Sequence, residues 1–263
     1  MNTVIEKNIT KKEQQFINSL KTLHGRKKNN AFIIEGIKNV EELLLSELKV
    51  RNLYLSSSLS VVKLQYFIKM CLEKNLDHTV TTSQDYQKIT TMNNPEGVLA
   101  ICEYCREKEL SEIKLPALYL SEVNDPGNLG TIFRTAAWFG VPAVIISENS
   151  VDAFNPKVVR SSMGSFFHLT IIQNMTPERL INFCDDKKIP LFIADLNGEN
   201  PVNFNPQSEY ILCFGSESHG VPQRIMNHTR QILSIPKYGR GESLNLAMSV
   251  GIMLNSLINK GQK

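Results

Sequence analysis

Residues 117–148 read ALYLSEVNDPGNLGTIFRTAAWFGVPAVIISE, and this stretch decides the fold. ALYLSEV is apolar and β-favouring, so it reads as a strand. NDPGNLG is rich in turn formers and ends it. TIFRTAAWFG has helical patterning, and AVIISE is apolar again. Four further apolar runs follow: FHLTII, PLFIADL, YILCFGSE and QILSIP. Strands without polar alternation are the kind buried on both faces of a parallel sheet. Between them, NPKVVRSSMG reads as a short helix opened by Asn155 before Pro156. A last helix is expected to start near Glu242 and to run through SLNLAMSVGIMLNSLIN.

Upstream, strands and helices alternate again. TKKEQQFINSLKTLHGRKK carries Phe16, Ile17, Leu20 and Leu23 at helical spacing. Thr10 with Glu13 three residues on predicts a capping box at its start. AFIIEG, VRNLYLSSS, HTVTTS and GVLAICEY read as strands. NVEELLLSEL and the stretches near 60–75 and 83–91 read as helices. The pattern is that of a compact α/β unit. REKELSEIKLP is charged and lacks periodicity until Leu115, and Pro116 closes it. The predicted organisation is therefore α/β throughout: an N-terminal domain over 1–105 with a basic helical lead-in at 1–25, a linker at 106–116, and a second domain over 117–263.

The chain has 263 residues, with hydrophobic residues at 42% and charged ones at 21%, which excludes disordered and collagen-like classes. Its apolar runs fall well short of the ~20 residues that span a bilayer. The opening lacks a secretion signal pattern, so a cytoplasmic home is expected. The net charge of +3 hides an asymmetry. Residues 1–30 hold seven basic groups against two acidic ones, a net of +5, and the rest is slightly acidic.

Five cysteines, an odd number, fit a reducing compartment. Cys102 and Cys105 form a C-x-x-C, but no second pair stands at zinc-ligand spacing. Strand alternation would put the two on opposite faces, so no metal is expected.

Three loops in the second half break simple core or surface patterning. In Asn124–Ala137 a strand end leads into a glycine-rich helix start, where open α/β sheets place ligands. Arg134 lies one turn into that helix among Ile132, Phe133, Ala136 and Ala137. It is either a functional cation or an arginine paired with a core carboxylate. In Phe214–Pro222, Gly215 and Gly220 bracket a polar tip with Glu217 and His219. The tip either reaches a ligand or is a capping turn, and a lone loop histidine is usually solvated. In Ile235–Ser249 a basic glycine-rich loop precedes Ser243 and Asn245. Both fit ordinary helix caps, yet Asn245 sits between apolar neighbours and wants a specific partner. The final helix is apolar nearly all round, from Leu244 to Ile258, so the fold or a second subunit must cover it; a homodimer is the expectation.

Together the three segments resemble the motifs of the SpoU (TrmH-like) family of RNA ribose 2′-O-methyltransferases: N-D-P-x-N-x-G-x-I-x-R-T-A, then F-G-S-E-x-x-G, then I-P-x-x-G-x-x-E-S-L-N. NPKVVRSSMGSFF is similar to the family's intervening helix. HGRKKNNAFIIEGIKNVEELL resembles its ribosomal-protein-like substrate-binding domain. The resemblance implies a C-terminal trefoil knot, S-adenosylmethionine as cofactor against Gly215, Ile235 and Leu244, and a homodimer packed through the last helix. It assigns catalysis to Asn128, Arg134, Glu217, Ser243 and Asn245. Lys237, Tyr238 and Ala247–Ser249 fill positions that vary. RNA as substrate, ribosomal rather than transfer, gives the basic opening a purpose, with Arg26, Lys27 and Lys28 as a backbone clamp in a loop. The competing reading is a non-catalytic RNA-binding protein of the kink-turn-binding ribosomal type.

Overall fold

A computed structural model of the chain describes residues 6–104, 108–201, 209–216, 218–229 and 231–258. It forms two compact units, one from residues up to 106 with Phe154–Phe167, the other from the remainder.

The first unit opens with α1 (Lys11–Ser19), whose Thr10/Glu13 capping box is in place. Its continuation departs from the single helix expected. Thr22 Oγ1 donates to the Ser19 carbonyl (2.9 Å) and accepts from Gly25 N (3.1 Å). A hydroxyl that satisfies one helix end and caps the next start breaks the run there. The chain restarts as α2 (Leu23–Asn29). There follow β1 (Ala31–Glu35), α3 (Ile37–Leu45), β2 (Val50–Ser56), α4 (Val61–Glu73), β3 (His78–Thr81), α5 (Ser83–Ile89) and β4 (Val98–Glu103). The sheet runs β1-β4-β2-β3, with β4 antiparallel to both neighbours and β2 parallel to β3. Ile17, Leu20, Ile33, Tyr54, Tyr86 and Ile101 share its core.

In the second unit, Leu110, Ile113 and Leu115, within the stretch read as a linker, pack against the core. Apolar side chains at those positions give the charged segment something to bury. Then come β5 (Ala117–Leu120), α6 (Pro126–Trp138) and β6 (Ala143–Ser147). The next helix, α7 (Pro156–Ser161), packs with the first unit. Phe154 and Phe166 cluster on Phe32, at 4.8 and 6.1 Å between ring centroids, and Gly164 N donates to Asn39 Oδ1 (2.7 Å). The second unit resumes with β7 (Thr170–Met175), α8 (Pro177–Lys187), β8 (Leu191–Glu199), β9 (Ile211–Phe214), α9 (Gln223–His228), β10 (Ile232–Leu233) and α10 (Leu246–Ile258). All its strand pairings are parallel, in the order β10-β8-β9-β5-β6-β7. Every residue of β5, β6 and β9 is buried, which is why these strands read as unbroken apolar runs. No described helix is long and apolar enough to cross a membrane.

Two further details, both at the last helix, differ from the sequence expectation. The last helix begins at Leu246, not near Glu242, leaving Ser243–Asn245 outside it. It buries one face (Val250, Met253, Leu254, Leu257) and leaves Met248 and Ile252 exposed.

Candidate functional site

The C-terminal ends of β5 and β9 are neighbours at the sheet centre, where connections leave in opposite directions. That is the crevice position for ligands in an open α/β sheet. The loop after β5 is pinned on several sides. Ser121 N donates to Phe214 O (2.9 Å), Glu122 N to Ser147 Oγ (2.8 Å) and Val123 N to Ser150 Oγ (3.2 Å). Asp125 Oδ1 accepts from Asn128 N at 2.7 Å and caps α6, with Pro126 filling its first position.

On α6, Leu129, Ile132, Phe133 and Ala136 are buried, so the face carrying Asn128, Thr131 and Arg134 turns outward. Arg134 is exposed, and among the described residues no ion pair or hydrogen bond holds it. The alternative of a core carboxylate partner therefore fails among those residues: the apolar neighbours occupy the inward face and leave the guanidinium outside.

After β9, the backbone pinches. A Cβ at Gly215 would lie 1.8 Å from the Gly220 carbonyl carbon, so only glycine fits. Ser216 and Gly220 form a bridge, with Gly220 N donating to Ser216 O (2.9 Å) and His219 N to Ser216 Oγ (3.1 Å). His219 Nδ1 lies 3.3 Å from Glu122 Oε2, which ties this loop to the β5 loop. Glu217, a predicted catalytic residue, lies outside the described residues.

The third loop follows β10. Ile235 is half-buried, while Ser243 and Leu244 are exposed, Leu244 at 48%. Asn245 does two things at once. Its Oδ1 accepts from Ala247 N (3.0 Å) and Met248 N (3.4 Å), capping α10, and its Nδ2 donates to Asn128 Oδ1 (3.0 Å). The cap explains why the helix starts at Leu246. The bond to Asn128 is the specific partner its apolar neighbours implied. α10 then packs along α6, with Gly251 facing Thr135.

Asn128 and Asn245 are thus brought into contact, with Arg134 on the helix that carries Asn128. Asn245→Ala is expected to cost about 1 kcal/mol through the lost cap. A double-mutant cycle with Asn128→Ala, read by denaturant unfolding, should show about 0.5–1.5 kcal/mol of coupling; additive effects would mean the bond carries nothing.

Cys213, on β9, is buried, and burial raises its thiol well above the ordinary range. Burial likewise pushes Cys184 up to about 12. Neither is a thiolate at neutral pH, so neither is a nucleophile. Cys102 is buried in β4, and Cys105 lies outside the described residues. What the arrangement offers is an exposed cation, an amide pair and loops whose backbone approaches closely. It can hold an anion beside a polar group and bind a flat ligand by main-chain contacts.

The basic clamp needs correcting. Arg26–Lys28 form the last turn of α2, not a loop. Arg26 is 2% exposed and its Nη1 donates to the carbonyls of Leu20 (3.1 Å) and Lys21 (3.2 Å). The guanidinium is spent on the end of the preceding segment and cannot reach a phosphate. Lys27 and Lys28 are exposed. Sequence reading missed Glu122, which sits at φ +51°. A glutamate gives no local signal for that conformation.

Comparison with known proteins bears on both units. Residues 115–255 match the SpoU rRNA Methylase family, and residues 12–100 match the MRM3-like substrate binding domain. The chain is 32% identical over 258 residues to the 23S rRNA (guanosine(2553)-2′-O)-methyltransferase RlmP of Bacillus subtilis, covering 95% of this chain and 99% of that one. It superposes on an AdoMet-bound rRNA methyltransferase from Sinorhizobium meliloti with a TM-score of 0.85 at 26% identity, over 98% of each chain. A SpoU methyltransferase, AviRb from Streptomyces viridochromogenes, has the same fold, with a TM-score of 0.84 at 21% identity over 96% of this chain and 99% of that one.

Proposed function

The chain belongs to the SpoU rRNA methylase family, and from that premise we propose that it transfers a methyl group from S-adenosylmethionine to a ribose 2′-hydroxyl of structured RNA, ribosomal RNA before transfer RNA. The observation that carries this is the Asn245–Asn128 hydrogen bond, which ties the first and third motif loops together at the start of the helix that carries Arg134.

The residues fit the cofactor. Gly215 lies in a backbone pinch that a side chain would fill, and Ile235 and Leu244 offer apolar surface on the loop after β10. Together they would hold an adenosine by main-chain contacts and apolar cover. Bound there, S-adenosylmethionine supplies an activated methyl group, so the protein need not activate a leaving group. Its task is the nucleophile. Positioning alone supplies up to roughly 7–11 kcal/mol of the barrier. Arg134, with a pKa above ~12, is a poor general base. Its role in this reading is to hold an RNA phosphate and to lower the acidity barrier of the adjacent hydroxyl by its charge. Water or the phosphate takes the proton. Asn128 and Glu217 orient Arg134 and the ribose; Ser243 and Asn245 shape the donor pocket.

The same reading takes the segment after β9 as the family's trefoil knot, the cytoplasm as the site of action, and a homodimer as the working form. Trp138 on α6, 86% exposed, and Met248 on α10, 61% exposed, are apolar surface that a second subunit would cover.

The test is methyl transfer from tritiated S-adenosylmethionine to 23S ribosomal RNA and to transfer RNA, with the label mapped to a ribose, on protein of known mass. Ribose label in the ribosomal RNA from a dimer is the expected result. RNA binding without any donor binding by calorimetry would favour the non-catalytic alternative, and a monomeric mass at micromolar concentration would remove the dimer.

A further inference from the structure

The first unit contains a cavity of about 630 Å3, lined by the end of α5, the turn that follows it, and the start of α7. Its wall carries three cations (Lys21, Lys157, Arg160) and the amides of Gln87, Asn93 and Asn155, and no carboxylate. Among the described residues none of the three cations forms an ion pair. Lys21 and Arg160 are instead fixed by neutral acceptors on one turn. Lys21 Nζ donates to Thr90 O at 2.7 Å and Arg160 Nη1 to Thr91 Oγ1 at 3.2 Å.

That turn is fastened from beneath by Glu35, which is buried. Its carboxylate accepts from Tyr86 OH (3.3 Å), Thr90 Oγ1, Thr91 N (2.8 Å) and Thr91 Oγ1 (2.5 Å). With four donors on it, the acid orders the floor without lining the cavity. Burial lowers the Lys21 pKa, partly offset by Glu35, so its charge is under-solvated and gains from an incoming anion.

The volume is too large for a bare phosphate and falls in the range of sites for molecules of nucleotide size. Amide side chains beside cations suit a sugar-phosphate with a base edge. The wall also draws on both matched segments: Lys21, Gln87 and Asn93 fall within 12–100, and Asn155, Lys157 and Arg160 within 115–255. We propose that this cavity binds one nucleotide of the RNA substrate, with Lys21, Lys157 and Arg160 holding its phosphodiester. The proposal rests on the RNA-methylating reading above and adds a place in the first unit where the RNA is held.

The experiment compares the full chain with Lys157→Gln/Arg160→Gln, and with Lys69→Gln, which removes an exposed charge on α4 outside the cavity. Binding to transcribed 23S ribosomal RNA is measured by filter retention between 50 and 200 mM salt. S-adenosylmethionine affinity is measured by calorimetry, and 5′-AMP is titrated as the free-nucleotide probe. The double variant should lose about 10–100-fold in RNA affinity, as for one or two charge-assisted hydrogen bonds. Its log–log salt slope should fall by about one to two. Donor affinity should stay unchanged. Lys157→Gln alone, at an exposed position, should show part of the loss and guards against misfolding of the pair. RNA affinity and slope equal to those of Lys69→Gln would overturn the proposal. So would 5′-AMP binding that the double variant abolishes while RNA binding persists, which would make the cavity a free-nucleotide site. An unaltered chain that binds donor but no RNA would overturn the underlying reading as well, and is distinguishable from either.

Discussion

Arg134→Lys is expected to lower kcat for ribose methylation by about 10²–10³-fold, the loss typical of removing one preorganised donor from a developing negative charge. The side chain is exposed on α6 while its apolar neighbours face inward, so the change touches no core packing. Unfolding temperature and donor affinity should therefore hold. Lysine keeps the charge but gives up the planar fork that grips a phosphate through two N–H groups. The alternative, an arginine that removes the proton itself, predicts the opposite. Lysine, with an ordinary pKa near 10.4, is the better base of the two. It would retain substantial activity, with a pH profile shifted or preserved. Single-turnover methyl transfer from pH 6 to 10 separates the two, and near-parental rates in the lysine variant would remove phosphate holding as the role of Arg134.

The three motif loops were legible because each is written in local chemistry. Asn124–Asn128 combine a turn, a cap and a proline at a helix start, and the structure uses Asp125 and Pro126 in those ways. Thr10 and Glu13 announced their capping box for the same reason. What stayed hidden depends on partners far along the chain. Asn245 delays the start of α10 while bound to Asn128, 117 residues away. Phe154–Phe167 joins the first unit through Phe32 and Asn39, which no window around α7 contains. The burial of Arg26 is not written in charge patterning: the Thr22 hydroxyl ends one helix and caps the next, and the carbonyls of Leu20 and Lys21 are left for the guanidinium. The Glu35-fastened turn is equally silent in sequence: a single acid inside AFIIEG gives no hint of four donors from residues 86–91.

Gly215→Ala should be the most damaging small substitution in the second unit. The added carbon would lie 1.8 Å from one backbone carbon of Gly220 and 2.2 Å from the Val221 nitrogen, and neither atom is a side-chain end that can swing aside. The pinch must open by more than an ångström. Overpacking of this kind costs about 1–3 kcal/mol, a fall in Tm of roughly 2–12 °C at ~2–4 °C per kcal/mol for a unit of this size. The functional loss should be larger, because displacing a ligand-bearing backbone by ~1 Å costs on the order of 10²-fold. Gly220→Ala supplies the control from the same loop. Its φ of +66° disfavours a side chain, but a Cβ there meets nothing within 4 Å. It should cost about 1–2 kcal/mol for the left-handed conformation alone and leave donor affinity nearly intact. If both variants lose S-adenosylmethionine binding equally, backbone strain anywhere in the loop is enough and the close approach at Gly215 has no special part. If Gly215→Ala alone loses it, the narrowness of the pinch, not the flexibility of glycine, is what shapes the donor site.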